Sequence, residues 1–317
     1  MRLRCKSARD NLLGLVEQIR RVEMPSQEHE AVVAMLQAAP LTEAPSLEEQ
    51  RANYDAMLGA QPIGDDVTIE TVTIEHVLAD MVSVPASAED RVVLYFHGGG
   101  YVIGSNVGYR AFAGRLAQAT RSRVCVLNYR LAPEHPFPAA LDDATMAYQW
   151  LLQQGYAADR IVIAGDSAGG GLTLATLLNL KEIDQPQPAC AVPLSPWTDL
   201  AGTGATLAPG TVDDPLVSAD GLGGMAGFYA ADELSNPLAS PLYGDYEGLP
   251  PLLIQVGSRE VLLDDAVRVR DKANAAGVEV TYFEGEGLIH VWPVLAPDAP
   301  ESVAALDQIG EFISQKT

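Results

Sequence analysis

The stretch at residues 161–171 constrains this chain more than any other. It reads Ile-Val-Ile-Ala-Gly-Asp-Ser-Ala-Gly-Gly-Gly, so a β-branched run ends in Gly-x-Ser-x-Gly before a helix-forming run begins. The pattern predicts a strand, a sharp turn with Ser167 at its corner, and a helix. Gly165 and Gly169 flank the serine, where small residues let the strand and the helix approach closely. The alternative is a phosphate-binding turn, but the P-loop form needs a lysine after its glycines, and none stands there.

Strand-like and helix-like segments alternate around this turn. Helical patterns lie between most of the strand patterns, which cover residues 67–74, 78–84, 92–96, 123–127, 160–164, 189–194, 252–256 and 278–283. Repeated strand–helix units predict a mostly parallel sheet with helices on both faces and a ligand site at the carboxyl ends of its strands. We therefore expect an α/β fold with a mostly parallel, eight-stranded sheet.

Two segments depart from this alternation. Residues 1–60 have a helical pattern, with a capping-box sequence at Ser46-Leu47-Glu48-Glu49, and residues 202–230 are rich in Gly and Ala. Both fall outside the alternating core. We expect residues 1–60 and 202–235 to form a helical cap over a catalytic domain made of residues 61–201 and 236–317.

Charge and cysteine content limit the partners. The chain has 20 Lys and Arg against 42 Asp and Glu, a net charge of −22 that repels nucleic acid and anionic membranes. No signal peptide or membrane-spanning run is recognisable, so a cytoplasmic location is expected. Cys5, Cys125 and Cys190 lack metal-type spacing, and the last two stand in apolar strand-like runs, as small core residues do.

A serine hydroxyl needs a base to remove its proton, and a histidine held by a carboxylate is the usual one. In this type of fold the chain order is Ser, then Asp or Glu, then His. Only His290 follows Ser167, and it stands in a glycine-containing loop after the last strand pattern. We therefore expect His290 to be the base.

The carboxylate should lie in the loop after the strand at residues 252–256, and that loop holds three candidates. Glu260 is nearest the strand end, whereas Asp264 and Asp265 fall in the first turns of the next helix. Acidic residues there interact favourably with the helix N-terminus without any catalytic role. We favour Glu260 and keep Asp264 as the alternative acid.

Acyl transfer also requires N–H donors for the oxyanion. His97-Gly98-Gly99-Gly100 follows a buried strand, where the fold places such donors, and Ala168 directly follows the serine. Consecutive glycines allow the backbone to direct its N–H groups to one point. His97 itself is expected to be structural, and a simple glycine hinge is the alternative reading of this loop.

The chain resembles the hormone-sensitive-lipase family of bacterial carboxylesterases from about residue 67 to its carboxyl end. The resemblance rests on His97-Gly98-Gly99-Gly100-Tyr101, on the Asn-Tyr-Arg-Leu-Ala-Pro-Glu-His-Pro-Phe-Pro-Ala-Ala run at 128–140, on Gly165-Asp166-Ser167-Ala168-Gly169-Gly170, on Ser195-Pro196-Trp197 and on Asp214-Pro215. It implies an α/β-hydrolase fold with a helical cap, and hydrolysis of short- to medium-chain acyl esters with no cofactor or metal. Members often form dimers, so a homodimer is an expected partner beside a small ester substrate.

The resemblance also implies residue roles. Ser167 is the nucleophile, His290 the base, and Gly99, Gly100 and Ala168 the oxyanion donors, with Gly98 as a further candidate. The usual acid motif resembles Asp-x-Leu-x-Asp, and here Glu260 stands at the aspartate position. Candidate pocket walls, each of which could instead be core, are Tyr101, Trp197, Tyr229 and Val291. Lactone, amide or carbamate hydrolysis, or a non-catalytic receptor on the same fold, are the alternative functions.

Overall fold

The computed structural model describes residues 25–38 and 45–317, and these are organised around one eight-stranded sheet. The strands are β1 (Thr68–Ile74), β2 (Val77–Ser83), β3 (Ala88–Phe96), β4 (Ser122–Leu127), β5 (Ile161–Asp166), β6 (Cys190–Leu194), β7 (Leu252–Gly257) and β8 (Val280–Gly285). Their order is β1-β2-β4-β3-β5-β6-β7-β8. β2 is antiparallel to both its neighbours, and every other pair is parallel. The predicted α/β fold class and mostly parallel sheet are confirmed.

Helices cover both faces of this sheet. They are α1 (Gln27–Ala38), α2 (Leu47–Gly59), α3 (Arg110–Thr120), α4 (Ala139–Gln153), α5 (Ala168–Glu182), α6 (Ala219–Tyr229), α7 (Leu263–Ala275), α8 (Trp292–Leu295) and α9 (Pro300–Lys316). Short 3₁₀ turns lie at Ala158–Arg160, Ala205–Leu207, Ala231–Glu233 and Pro241–Tyr243.

The side chains of strand β3 show why helices pack on both faces of the sheet. Val92, Leu94 and Phe96 belong to a core cluster with α4 and α5, while Val93 and Tyr95 belong to a second cluster with α3 and α9. Successive side chains of a strand point to opposite faces, so a continuous apolar run requires helices on both sides. The apolar pattern of the central strands therefore determines the three-layer arrangement.

The two amino-terminal helices are tied to distant parts of the chain. Ser46 caps α2, because its Oγ accepts from Glu49 N and the Glu49 carboxylate accepts from Ser46 N, as the sequence predicted. Arg51 of α2 donates from Nε to Val102 O, 2.9 Å away, in the loop after β3. Ser26, just before α1, donates from its backbone N and its Oγ to the two carboxylate oxygens of Glu301 in α9, at 2.6 and 2.8 Å.

Several boundaries differ from the sequence prediction. The β1–β2 connection is two residues long, Glu75 and His76, and β3 begins at Ala88, before its apolar run at 92–96. Helix α7 begins at Leu263 because a turn follows β7, in which Glu260 N donates to Gly257 O and Leu263 N to Glu260 O.

Cys125 and Cys190 are free and buried, in β4 and β6, as expected of small core residues. The interpretations of Cys5 and of the helical pattern at residues 1–24 and 39–44 lie outside the described residues. Over residues 25–38 and 45–317, no helix combines the length and the apolarity needed to cross a membrane.

Candidate active site

Ser167 lies at the corner between β5 and α5 with φ 55° and ψ −118°. This left-handed backbone is unfavourable for a residue with a side chain, and the surrounding bonds hold it there. Ser167 N donates to Leu194 O at 2.9 Å, and Ser167 O accepts from Gly171 N at 3.0 Å and from Trp197 N at 2.9 Å.

The glycines beside the serine are required by close contacts. A Cβ at Gly165 would overlap Gly169 O, and a Cβ at Gly169 would overlap Phe96 O. Strand β5, helix α5 and the end of β3 therefore meet here with no room for a side chain. The predicted strand–turn–helix is the observed local structure.

Glu260 and His290 are brought together from the loops after β7 and β8. Glu260 Oε2 lies 2.7 Å from His290 Nδ1, and the two residues are 0% and 3% exposed. The other carboxylate oxygen, Oε1, accepts from Gly257 N and, at 2.7 Å, from Ser195 Oγ. Both oxygens of the buried carboxylate are thus hydrogen-bonded.

The other two candidate acids lie elsewhere. Asp264 Oδ2 accepts from Ala205 N at 2.8 Å. Asp265 Oδ2 accepts from Thr198 N at 2.7 Å and from Asp199 N at 2.9 Å. Both carboxylates hold segments that follow β6, and His290 is bonded to Glu260 instead.

The ion pair sets the protonation of His290. Burial lowers the pKa of His290, but the Glu260 carboxylate, with smaller contributions from Asp214 and Asp166, more than offsets this, so the pKa of His290 lies above its ordinary value of 6.5. With Nδ1–H donating to Glu260, the unshared electron pair of the neutral ring is on Nε2.

The glycine loop after β3 presents free N–H groups. Gly98 N donates to Asp166 Oδ1 and to the Tyr109 hydroxyl, both at 3.0 Å, so this N–H has partners within the protein. Gly99 and Gly100 have φ values of 110° and 63°. Within the described part of the chain, the N–H groups of Gly99, Gly100 and Ala168 have no protein acceptor.

His97 has the structural position that was expected of it. Its ring stacks on Tyr129 with centroids 4.2 Å apart, and its Nδ1 lies 2.8 Å from Gly98 O. Burial lowers the pKa of His97 to about 4, so the ring is neutral at neutral pH. His97 therefore stabilises the glycine loop through its contacts with Gly98 and Tyr129.

Comparison with known proteins identifies the family and the fold. A family model described as alpha/beta hydrolase fold matches residues 93–294. An acetyl-hydrolase of Streptomyces hygroscopicus is 41% identical over 301 residues, which are 93% of this chain and 98% of that protein. An esterase of Acinetobacter venetianus is 37% identical over 264 residues, which are 83% of this chain and 87% of that protein. A solved esterase from the bacterial hormone-sensitive lipase family superposes with a TM-score of 0.89 at 42% identity, covering 93% of this chain and 99% of its own.

This chain belongs to the hormone-sensitive-lipase family of α/β-hydrolase-fold esterases. It is a carboxylic ester hydrolase, as the Gly-x-Ser-x-Gly turn around Ser167, the glycine loop and the position of His290 after the serine indicated.

Two polar residues of this esterase site had no role assigned from the sequence alone. Ser195 Oγ donates to Glu260 and accepts from Val291 N at 3.1 Å, so it joins the loops that carry Glu260 and His290. Asp166 accepts from Tyr95 OH and Tyr109 OH, both at 2.8 Å, beside Ser167. Both stand in the quoted family motifs, but no spacing argument predicts which distant groups they meet.

Burial raises the pKa of Asp166 to about 6, and the two tyrosine hydroxyls partly counter this. The carboxylate also holds Gly98, so it links the glycine loop to the residue before the serine. Tyr54 of α2 extends the network, since its hydroxyl lies 3.0 Å from that of Tyr109.

The four candidate pocket walls are almost completely buried. Tyr101 stacks on Tyr229 with ring centroids 3.8 Å apart and an interplanar angle of 3°. The ring centroid of Trp197 is 6.1 Å from that of Tyr101. Val291 is 3% exposed, with a left-handed φ of 47°. Tyr101 and Tyr229 thus connect the segment after the glycine loop to the end of α6.

Proposed function

We propose that this esterase acts through Ser167 as nucleophile, His290 as base and Glu260 as the orienting acid. The observation that carries the proposal is the buried 2.7 Å contact between Glu260 Oε2 and His290 Nδ1. A second contact path supports it. The segment from Ser195 to Trp197 bonds Ser167 O through Trp197 N and bonds the residue after His290 through Ser195 Oγ, so one short segment spans the serine and the histidine.

The reaction is a two-step acyl transfer. His290 takes the proton of the Ser167 hydroxyl as Oγ attacks the ester carbonyl, and it then gives that proton to the departing alcohol. In the second step His290 takes a proton from water, which attacks the acyl-enzyme. The acid product leaves, and the proton returns to Ser167. Glu260 holds the imidazole in orientation and stabilises its charged form.

The N–H groups of Gly99, Gly100 and Ala168 are proposed to stabilise the negative oxygen of the tetrahedral intermediate. Their support is that they follow β3 and β5, adjacent parallel strands, and have no acceptor in the described protein. Gly98 has no part in this, because its N–H is bonded to Asp166.

We propose short- to medium-chain acyl esters as substrates. The Streptomyces relative is described as an acetyl-hydrolase, which is in keeping with a small acyl group. The proposed cap consists of the amino-terminal helices and the segment around α6. Met225 of α6 lies so close to Gly100 that a Cβ there would overlap its sulfur. Tyr101, Trp197, Tyr229 and Val291 are proposed as walls of the pocket below.

The test is a p-nitrophenyl ester series from acetate to laurate on the wild type and three variants. Ser167→Ala is expected to lose about 10⁴-fold or more of kcat, and Glu260→Gln about 10³–10⁴-fold. Asp264→Asn, the matched carboxylate control, is expected to stay within about 3-fold of wild type. A larger loss in Asp264→Asn than in Glu260→Gln would contradict the assignment of the acid.

The pH profile gives a second readout. Because the Glu260 carboxylate raises the pKa of His290, kcat/KM of the wild type should decline on the acid side with an apparent pKa above 6.5. In Glu260→Gln this limb should move to lower pH, since the neutral amide no longer stabilises the imidazolium. An acid limb of kcat/KM at the same pH in Glu260→Gln and wild type would contradict the proposed pairing of Glu260 with His290.

A further inference from the structure

The buried N–H of Ile289, directly before His290, is bonded to an amino-terminal helix. Ile289 N donates to His29 Nε2 at 3.2 Å, across 260 residues of sequence. Both residues are 0% exposed. His29 is on α1, so a helix near the other end of the chain contacts the loop that carries the proposed base.

The partners of the neighbouring N–H groups show what is particular about this bond. Gly287 N donates to Ser258 Oγ, Leu288 N to Gly285 O and Val291 N to Ser195 Oγ. These acceptors all belong to the segments around β6, β7 and β8. For Ile289 N the acceptor comes from α1 instead, and a buried N–H left without an acceptor destabilises the folded backbone around it. The backbone next to His290 therefore depends on α1 being docked.

The contact requires a neutral His29. Nε2 can accept a hydrogen bond only when the ring proton is on Nδ1, and a protonated ring presents a second N–H to Ile289 N–H instead. Burial lowers the pKa of His29, and Arg259 acts in the same direction, while Glu30 and Glu301 oppose it. Glu30 Oε1 is 3.4 Å from His29 Nδ1 and 3.9 Å from Arg259 Nη1. The net effect favours the accepting, neutral form at neutral pH.

The start of α1 is fixed by contacts that do not involve the His29 imidazole. Ser26 bonds both carboxylate oxygens of Glu301, and its Oγ accepts from His29 N at 3.2 Å. Val33, one turn further along the helix, is 4% exposed and belongs to the core cluster with α3 and α9. These anchors place the imidazole at a set position beside the loop.

We propose that His29 is a positioning residue for His290: its neutral Nε2 holds Ile289 N–H and thereby fixes the loop from which the proposed base acts. The proposal rests on the proposed function, since it assumes that His290 is the base. It makes turnover depend on the docking of α1 and on the protonation state of a residue remote from the substrate.

The test compares two substitutions of similar size. His29→Gln keeps an oxygen that can accept from Ile289 N but does not titrate, whereas His29→Leu keeps the apolar volume and removes the acceptor. With p-nitrophenyl butyrate, His29→Leu is expected to lose about 10-fold or more of kcat with KM within about 2-fold, because the base is misplaced. His29→Gln should retain kcat within about 3-fold.

Val33→Ala is the matched control, since it weakens the packing of the same helix without touching the acceptor. It should lower the thermal midpoint while leaving kcat unchanged. A kcat of wild-type size in His29→Leu, or equal losses in His29→Leu and His29→Gln, would overturn the proposal.

The acid limb of kcat/KM is a readout that packing alone does not move. In the wild type, the slope of log kcat/KM against pH should increase from one to two below the pKa of His29, because two histidines are then protonated. In His29→Gln the slope should stay at one. Equal slopes would overturn the proposal, and this comparison stands even if His29→Leu fails to fold by circular dichroism.

Labelling with a serine-directed fluorophosphonate separates this proposal from the proposed function. Wild type that neither labels nor hydrolyses esters would refute the proposed function. Wild type that does both, with His29 variants indistinguishable from it, would refute only the role of His29.

Discussion

Ser195 is the residue through which the loops of Glu260 and His290 are joined. It is 0% exposed, its Oγ donates to Glu260 Oε1, and the same oxygen accepts from Val291 N. One hydroxyl therefore stabilises one oxygen of a buried carboxylate by a hydrogen bond and also fixes the backbone that follows His290. Such doubly used hydroxyls are costly to remove, because each partner is left buried and unpaired.

Ser195→Ala should lower kcat about 10-fold and destabilise the fold by about 1–3 kcal/mol, because both partners lose their bond. Steady-state kinetics and chemical denaturation measure the two effects. Ser240→Ala is the matched control: Ser240 Oγ is also buried, accepts from Leu200 N and donates to Leu234 O, but it bonds neither Glu260 nor His290. It should lose similar stability and keep kcat. Equal kcat losses in the two variants would argue against a positioning role for Ser195.

At this scale the sequence allowed some inferences and not others. Chain order singled out His290, and distance from the strand end favoured Glu260, which is the carboxylate bonded to His290. The partners of Ser195, Asp166 and His29 were out of reach of such reasoning. Each of these side chains bonds residues that are remote in sequence, and only the folded packing brings those residues close.

At the scale of elements, the first turn of α7 is fastened to the segment after β6. Asp265 Oδ2 accepts from the backbone N of Thr198 and of Asp199. Burial raises the pKa of Asp265 to about 7, and the nearby Asp199 carboxylate adds to this. The general preference of helix N-termini for acidic residues explained Asp265 from the sequence, but its actual partners are in another loop.

This group makes stability depend on pH in a definite direction. The folded protein binds a proton at Asp265 below about pH 7, whereas the unfolded chain releases it near the ordinary pKa of 3.8. Between these values stability therefore falls as the pH rises, by up to about 1.4 kcal/mol per pH unit from this one group. Denaturation at a series of pH values should show a shallower dependence for Asp265→Asn than for wild type.

Asp271→Asn on the same helix is the control, since Asp271 is 62% exposed and pairs only with Arg270 among the described residues. It should follow the wild-type pH dependence. If Asp265→Asn also follows it, Asp265 does not titrate between these values.

Periodicity predicted the eight strands and the main helices, because a strand buried on both faces or a helix with one apolar face leaves a direct trace in the sequence. Boundaries were less predictable. Helix α7 begins only at Leu263, because a turn around Glu260 precedes it. The side chain of Glu260 is in turn held by His290 and Ser195. A local pattern contains no record of such tertiary constraints.

At the scale of the molecule, helices α2 and α6 approach the segment around the glycine loop from separate parts of the chain. Arg51 of α2 bonds Val102 O, and Met225 of α6 lies against Gly100. The extent of the cap, a homodimer and a cytoplasmic location stay predictions.

Met225→Ala should widen the space over the glycine loop and shift preference towards longer acyl chains. The ratio of kcat/KM for p-nitrophenyl laurate to that for the acetate is expected to rise about 10-fold, as removal of a few methylene-sized groups from a pocket allows. Met35→Ala, at a position that is 57% exposed on α1, is the matched control and should leave the ratio unchanged. A ratio unchanged in Met225→Ala would show that the acyl chain does not pass this side chain.

The bond between Ser26 and Glu301 also has a consequence for synthesis of the chain. The two residues are 275 positions apart, and ribosomes add residues at about 5–20 per second, so Glu301 follows Ser26 by roughly 14–55 s. During that interval α1 has neither Glu301 to fasten it nor Ile289 to receive His29. In the nascent esterase α1 therefore stays without these two contacts while the earlier strands are made, and the loop of His290 can bond His29 only after residue 289 has been added.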